Sequence, residues 1–393
     1  MVDEKFGYQA KILQMELNCS LLFPKVIIVH LFNVKTHLNI EVQKETVLYE
    51  RLANHKVRCL ACARYCELGV DQIGLCGIRG NKDGKLVLYV YGKVAACHID
   101  PIEKKPVTHF MPGSKVFSVG TTGCNWLCKY CINFDLSQRR KIEGIDVTPE
   151  EVVDMTLQRG CQGIAYTYNE PSIFLEYARD CGVLARKKGL FNIFVSNGYG
   201  TPESVSMMDE FLDSITVDFK GNGEEKFVRK YVGIPNSQPV FDTLLEIRDK
   251  TKIHVEITDL VVPKVGDDLE HAKKLCKFVY DEFGPDMPIH FLQFHPSYKM
   301  MEFEPTPVQT LEKHHEIAKK EGLRYAYVGN VPGHPLEHTY CHECKKIVVR
   351  RYNFDILEWN LDENNKCKYC ETKIPIVGKL NPTYRERRFE FVF

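Results

Sequence analysis

Between residues 115 and 328, short β-branched runs alternate with longer stretches of helical period, and this alternation narrows the possible architecture more than any other feature of the chain. Strands are predicted at 116–119, 163–168, 191–195, 214–219, 254–261, 289–294 and 325–328, with helices at 149–158, 172–187, 269–283 and 307–320 among the intervening segments. Thr148 followed by Pro149 is an N-cap with proline at the first helical position, and Gly189, Gly284 and Gly322 sit where helices should stop. About six βα units in a segment of this length are too few for a closed eight-stranded barrel. They suit an α/β fold built as an open, partial (β/α)6 TIM-type barrel. Ligands in such folds bind beyond the carboxyl ends of the strands, so function is to be sought there.

Residues 1–45 form an N-terminal extension without a motif, and 46–113 read as a small cysteine-rich domain with a Gly-rich turn at 80–84 and a strand at 86–91. The barrel core spans 114–335, and 336–393 form a C-terminal metal-binding segment ending in a basic, aromatic tail. With 52 basic and 52 acidic residues there is no overall field to favour nucleic acid or an anionic membrane. The longest apolar stretch, 21–34, is broken by Pro24, Lys25 and His30 and is too short to span a bilayer. The acidic opening without a small-residue cleavage site does not read as a secretory leader, so a cytoplasmic protein is expected.

The chain has 16 cysteines, and eleven of them cluster at two- and three-residue gaps, which in a chain of this length points to metal rather than disulfides. The remainder, Cys19, Cys97, Cys161, Cys181 and Cys276, read as small buried residues. Cys124, Cys128 and Cys131 lie just after the first predicted core strand, at its carboxyl end. Three thiolates there can hold three irons of a four-iron, four-sulfur cluster and leave the fourth open to an external ligand. Later strand ends are also polar: Asn169 and Glu170; Ser196, Asn197 and Gly198; Asp218 and Lys220; and, on one face of the fifth strand, Glu256 and Thr258. These are the candidates for binding that ligand.

The runs 59–66 (CLACARYC), 74–79 (GLCGIR), 100–106 (DPIEKKP), the cysteine loop, 168–171 (YNEP), 294–300 (FHPSYKM) and 327–333 (YVGNVPG) resemble the radical SAM superfamily. Within it, they resemble the AmmeMemoRadiSam system enzymes related to pyruvate formate-lyase activating enzymes. The resemblance implies a cluster on Cys124, Cys128 and Cys131, with S-adenosylmethionine (SAM) lying across the barrel top. It also implies an ammonium contact at Glu170, a SAM pocket including Asn197 and Gly198, and Memo-like and AMMECR-like companion proteins. Ala63 stands where that family commonly has proline, and Ile132 where it commonly has glutamine.

The paired CxxC motifs Cys341/Cys344 and Cys367/Cys370 are a strong signal for a closed four-thiolate site, zinc by default with rubredoxin-type iron as the alternative. Cys59, Cys62, Cys66 and Cys76 fit zinc or an auxiliary iron–sulfur cluster. On the substrate side, His295, Tyr298 and Lys299 follow the sixth strand, Asn330 and His334 follow the seventh, and Lys104 and Lys105 lie in the 100–106 run. Three functions are compatible with these features. The first is radical chemistry on an unidentified peptide, protein or small molecule, fed by a ferredoxin- or flavodoxin-type electron donor. The second is activation of a glycyl-radical enzyme, and the third is a non-catalytic electron-transfer or metal-binding role.

Overall fold

In the computed structural model, residues 43–393 are described, and they belong to one compact unit. Cys19, the apolar stretch 21–34 and nearly all of the N-terminal extension lie outside the described residues.

The core is a nine-stranded sheet. Its strands in chain order are β1 (Ala96–Pro101), β2 (Lys115–Gly120), β3 (Gly163–Tyr166), β4 (Phe191–Ser196), β5 (Ser214–Lys220), β6 (His254–Val261), β7 (Ile289–Gln293), β8 (Ala326–Gly329) and β9 (Glu390–Phe391). From β2 to β8 every neighbouring pair is parallel, in sequence order. At one edge β1 pairs antiparallel with β2, and β9 adds outside β1. The sheet therefore ends on two free edges, β8 and β9, and is an open barrel.

The crossover helices are α1 (Pro149–Gln158), α2 (Leu175–Lys187), α3 (Pro202–Asp209), α4 (Gln238–Lys250), α5 (Leu269–Phe283) and α6 (Val308–Lys320). Their ends are set locally. Thr148 and Glu151 make a reciprocal capping box at the start of α1, and Asp268 accepts from the His271 amide at the start of α5. Gly284 closes α5 at a φ of 81°, which a residue with a side chain adopts only at a cost.

The concave face of the sheet is filled at its amino end by an apolar plug, in which Ile102, Val107 and Phe110 pack against Val116, Ala165, Phe191 and Ile193. The segment supplying that plug joins β1 to β2, so the domain boundary expected at 113 runs through the main sheet. The Gly-rich turn resolves into a two-residue hairpin turn at Asp83 and Gly84, both with positive φ, between strands Arg79–Lys82 and Lys85–Leu88. Gly80 lies within the first of these, where a Cβ would come 2.7 Å from the Tyr89 ring. The tail is also structured: besides β9 it supplies Arg388, whose buried guanidinium pairs with buried Glu103 at 2.5 Å.

Candidate active site

The loop that follows β2 is braced by one asparagine. Asn169, 6% exposed, donates through Nδ2 to Thr121 Oγ1 (2.9 Å), Thr122 O (3.2 Å) and Gly123 O (3.0 Å), and its Oδ1 accepts from Thr121 N (3.2 Å). A side chain that spends both amide hydrogens and an oxygen lone pair on three consecutive residues fixes the path into Cys124. Asn169 thus braces the cysteine loop.

Glu170 is 3% exposed and equally committed. Its Oε1 accepts from Ser172 N (3.0 Å), Ser172 Oγ (2.6 Å) and Ser196 Oγ (2.8 Å), and its Oε2 accepts from Asn197 N (2.7 Å). Burial pushes the carboxyl up, against the pull of these donors. Ser196 Oγ also accepts from Gly198 N (3.0 Å), and Asn197 Nδ2 donates to Asn125 Oδ1 (2.8 Å). The ends of β3 and β4 are in this way tied to the residue after Cys124. Oε2, with a single protein donor, keeps acceptor capacity for a cation.

Asp218 and Thr258 face each other across the β5–β6 ladder and are hydrogen-bonded, while Lys220 Nζ reaches Asp218 Oδ2 at 2.9 Å. Burial works against the Lys220 charge, but the Asp218 carboxylate outweighs it and raises the ammonium's affinity for its proton. That charge also lies close enough to Cys128 to favour its thiolate, against the burial that pushes this thiol up to about 12.

Glu256 does not belong to this group. It sits two residues deeper in β6 than Thr258, fully buried, and both its oxygens are taken by the amides of Thr108 and His109, the Thr108 hydroxyl, His254 (3.3 Å) and His290 (2.8 Å). Burial opposes its charge, yet these donors hold the carboxyl well below the usual range. The side chain expected at the ligand rim instead fastens the plug segment to the sheet.

Cys124 Sγ accepts from Trp126 N (3.4 Å), and Cys131 Sγ lies 3.1 Å from Ser137 Oγ, which in turn accepts from Gln138 Nε2 (3.1 Å). Ser137 and Gln138 escaped the sequence reading because a hydroxyl six residues beyond a cysteine has no distinctive spacing. Ile132 is 75% exposed. Among the described residues, Thr122 Oγ1, Asn125 Nδ2 and Trp126 Nε1 are buried without a partner. A loop with three half-buried thiols and several unpaired buried polar atoms suits a thiolate-held cluster with an acceptor-rich ligand, and the residues therefore fit the group that the sequence implies.

The segment after β7 lies against the same loop. Lys299 N donates to Lys129 O (2.8 Å), Ser297 Oγ donates to Cys131 O (3.3 Å), and the Tyr298 ring stacks on Phe134 with centroids 4.8 Å apart. His295 and Lys299 expose their side chains. Lys104 and Lys105 both bind Asp100, and His334 pairs with Glu312 on α6.

Two further thiol sets flank the core. Cys341, Cys344, Cys367 and Cys370 have all four Sγ atoms within 4.8 Å of one another, with Cys341–Cys370 at 3.6 Å and Cys344–Cys367 at 3.7 Å. A tetrahedron of thiolates about 2.3 Å from one metal has edges of about 3.8 Å, so this set is already at mononuclear spacing. Each CxxC pair is followed by a left-handed residue, Lys345 (φ 61°) and Glu371 (φ 60°), giving two matching knuckles. Their lobe packs through Val348, Val349, Ile356 and Ile374 onto Tyr325 and Tyr327. The other set, Cys59, Cys62, Cys66 and Cys76, lines a single cavity together with Arg64, Arg79 and Asn125.

An open parallel α/β barrel whose first parallel strand delivers a three-thiol loop to a polar carboxyl-end rim is an enzyme scaffold of the SAM-cleaving, iron–sulfur type. The Radical SAM superfamily profile matches residues 118–279. The chain is 41% identical over 337 residues to an uncharacterized protein of Methanocaldococcus jannaschii, covering 85% of this chain and 99% of that one. It is 24% identical over 176 residues to a putative glycyl-radical enzyme activating enzyme of the same organism, covering 44% of this chain and 66% of that one. A solved domain of a pyruvate-formate lyase-activating enzyme from Bacteroides vulgatus is similar at 16% identity and a TM-score of 0.37, over 43% of this chain and 99% of that domain. The chain belongs to the radical SAM superfamily and is an enzyme. The family implies a four-iron, four-sulfur cluster and SAM as cofactors. Among the described residues no helix is long and apolar enough to cross a membrane.

Proposed function

We propose that this enzyme cleaves SAM reductively at Cys124, Cys128 and Cys131 and uses the resulting deoxyadenosyl radical to abstract hydrogen from a peptide, protein or small molecule. The observation that carries this reading is the hydrogen-bonded frame of Asn169, Glu170, Ser196 and Asn197, which joins two strand ends to the cysteine loop. The cluster supplies a low-potential electron and an open coordination site. Asn169 sets the loop's path, Glu170 Oε2 offers its remaining acceptor capacity to the ligand ammonium, and Lys220 places positive charge beside Cys128. Tyr298, Lys299 and His295 form the substrate-facing flank, because their segment is pinned to the cysteine loop while two of the three side chains stay exposed.

A ferredoxin- or flavodoxin-type donor supplies the electron, and Memo-like and AMMECR-like proteins are the proposed companions. Activation of a glycyl-radical enzyme is the second reading, favoured by similarity to the putative activase. Anaerobically reconstituted protein given SAM and dithionite should release deoxyadenosine. Cys128→Ala should abolish both that release and the cluster absorbance while leaving zinc content unchanged. Full iron occupancy without deoxyadenosine overturns the reading.

A further inference from the structure

The four cysteines before the barrel are not used by the reaction as described, yet they abut its loop. Cys59, Cys62 and Cys76 are buried, Cys66 is partly so, and all four face one cavity whose remaining wall is mainly apolar. Among the described residues, only the C-terminal four thiols are gathered within 4.8 Å of one another. No three of the thiols around this cavity meet that spacing, and Cys124, Cys128 and Cys131 do not meet it together. One zinc ion draws four thiolates to about 3.8 Å apart, whereas a cubane holds them at the corners of a larger body. Both sets therefore depart from the spacing of the closed knot.

The cavity also shares a wall with the catalytic loop. Asn125, next to Cys124, lines it; this side chain is 1% exposed and its Nδ2 has no partner, while its Oδ1 is fixed by Asn197 Nδ2. Arg64, on the same wall, donates to Asn125 O (2.9 Å) and Gly233 O (2.6 Å). The Cys76 carbonyl lies so close to Gly123 that a Cβ there would come within 2.4 Å of it, and Gly123 has a φ of +86°. Only glycine lets the two cysteine segments approach this closely. Buried Arg79 then clamps the lobe to the core through the Glu176 carboxylate and Ile173 O (2.6 Å), so the approach is rigid.

From this geometry we infer that Cys59, Cys62, Cys66 and Cys76 hold a second iron–sulfur cluster, which passes electrons across the Cys76–Gly123 contact to the Cys124 loop. The role rests on the SAM-cleaving reading above; the site does not. One electron from a reduced ferredoxin- or flavodoxin-type protein reduces this cluster, and transfer to the catalytic loop reoxidises it. The same electron ends in SAM, whose sulfonium carbon–sulfur bond breaks to give methionine and the deoxyadenosyl radical.

The test begins with a variant lacking Cys124, Cys128 and Cys131, each replaced by Ala, reconstituted anaerobically. It should keep about four irons and four sulfides per chain, against about eight of each in the unaltered protein. Its reduced paramagnetic signal should not respond to SAM. A variant that binds no iron and one additional zinc overturns the inference, whatever the unaltered protein does with SAM. Retained iron alongside an unaltered protein that makes no deoxyadenosine sinks the catalytic reading and leaves the second cluster standing. The paired variant Cys62→Ser with Cys76→Ser should lose about half the iron but keep the SAM-sensitive signal, and its deoxyadenosine formation with the protein donor should fall severalfold. An unchanged rate with that donor refutes the relay.

Discussion

Replacing Glu170 with Gln separates holding the loop from binding a ligand. The carboxylate accepts four hydrogen bonds, three at Oε1 and one at Oε2. A glutamine can keep its oxygen toward Ser172 and Ser196, but its NH2 then faces the Asn197 amide, donor against donor. One charge-assisted hydrogen bond is lost, worth about 1.5–3 kcal/mol, and a buried amide is left without an acceptor, at a further cost of about 1–3 kcal/mol. Allowing for relaxation and for relief of the carboxylate's own burial, the net destabilisation should be about 2–4 kcal/mol, or a fall in melting midpoint of roughly 2–5 °C for a chain of this size. The assay is thermal unfolding of the apoprotein without SAM, followed by equilibrium binding of SAM to the reconstituted protein. The midpoint should drop in the apoprotein, and SAM affinity should fall as well. If the apoprotein midpoint is unchanged and only SAM affinity falls, the carboxylate is a ligand contact alone, and its assignment as the fastening of β3 to β4 is wrong.

Three further outcomes follow from the geometry. His109 is buried between Tyr327 Oη and Pro375 O, and burial holds its imidazole down to about 3. Its folded pKa lies below the free value near 6.5, so the neutral ring's contribution is complete above pH 6.5 and is lost on acidification at about 1.4 kcal/mol per pH unit; the stability gap between the native protein and His109→Gln, followed by urea unfolding, should narrow at that slope down to about pH 3. Gly123→Ala must adopt a left-handed backbone and meet the Cys76 carbonyl, at a cost of at least about 1–2 kcal/mol, read as a lower melting midpoint and reduced iron retention; an unaltered midpoint would mean that the two segments do not touch. Cys344→Ala should cost one metal ion per chain and open the segment beyond residue 336 to proteolysis while the SAM-sensitive cluster signal stays constant, since its thiolate belongs to a closed four-cysteine site.

The barrel was legible because its signals are local and repeated. Each core strand is a short β-branched run, and Thr148, Gly284 and Gly322 punctuate the helices by backbone chemistry that needs no tertiary context. The C-terminal knot was legible for the same reason, its ligands being two short loops of fixed spacing. Glu256 was misplaced because side-chain direction along a strand is legible from alternation, but depth is not. Glu256 and Thr258 share one face, and only the register against β5 and the arrival of Thr108 and His109 from below show that one is plugged and the other faces Asp218. The β9 strand was hidden because two residues carry no period, and its place depends on the edge left open by β1.

The attachment of the cysteine-rich lobe was hidden for a related reason. Cysteine density suggests a small domain, but its anchors are ordinary residues scattered along the core. Thr201 Oγ1 donates to Leu60 O (2.6 Å), Ala63 N donates to Tyr199 O (3.0 Å), and Arg79 reaches Glu176 on α2. Tyr199 and Thr201 directly follow the Ser196–Gly198 turn, so the lobe that carries four cysteines is hung on the same turn that Glu170 fastens. Loosening Glu170 should therefore disturb the lobe as well as the rim. Amide exchange at Leu60–Arg64 should accelerate in Glu170→Gln along with exchange at Asn197–Tyr199. Acceleration confined to the rim would mean that the lobe is held independently of the turn that Glu170 fastens.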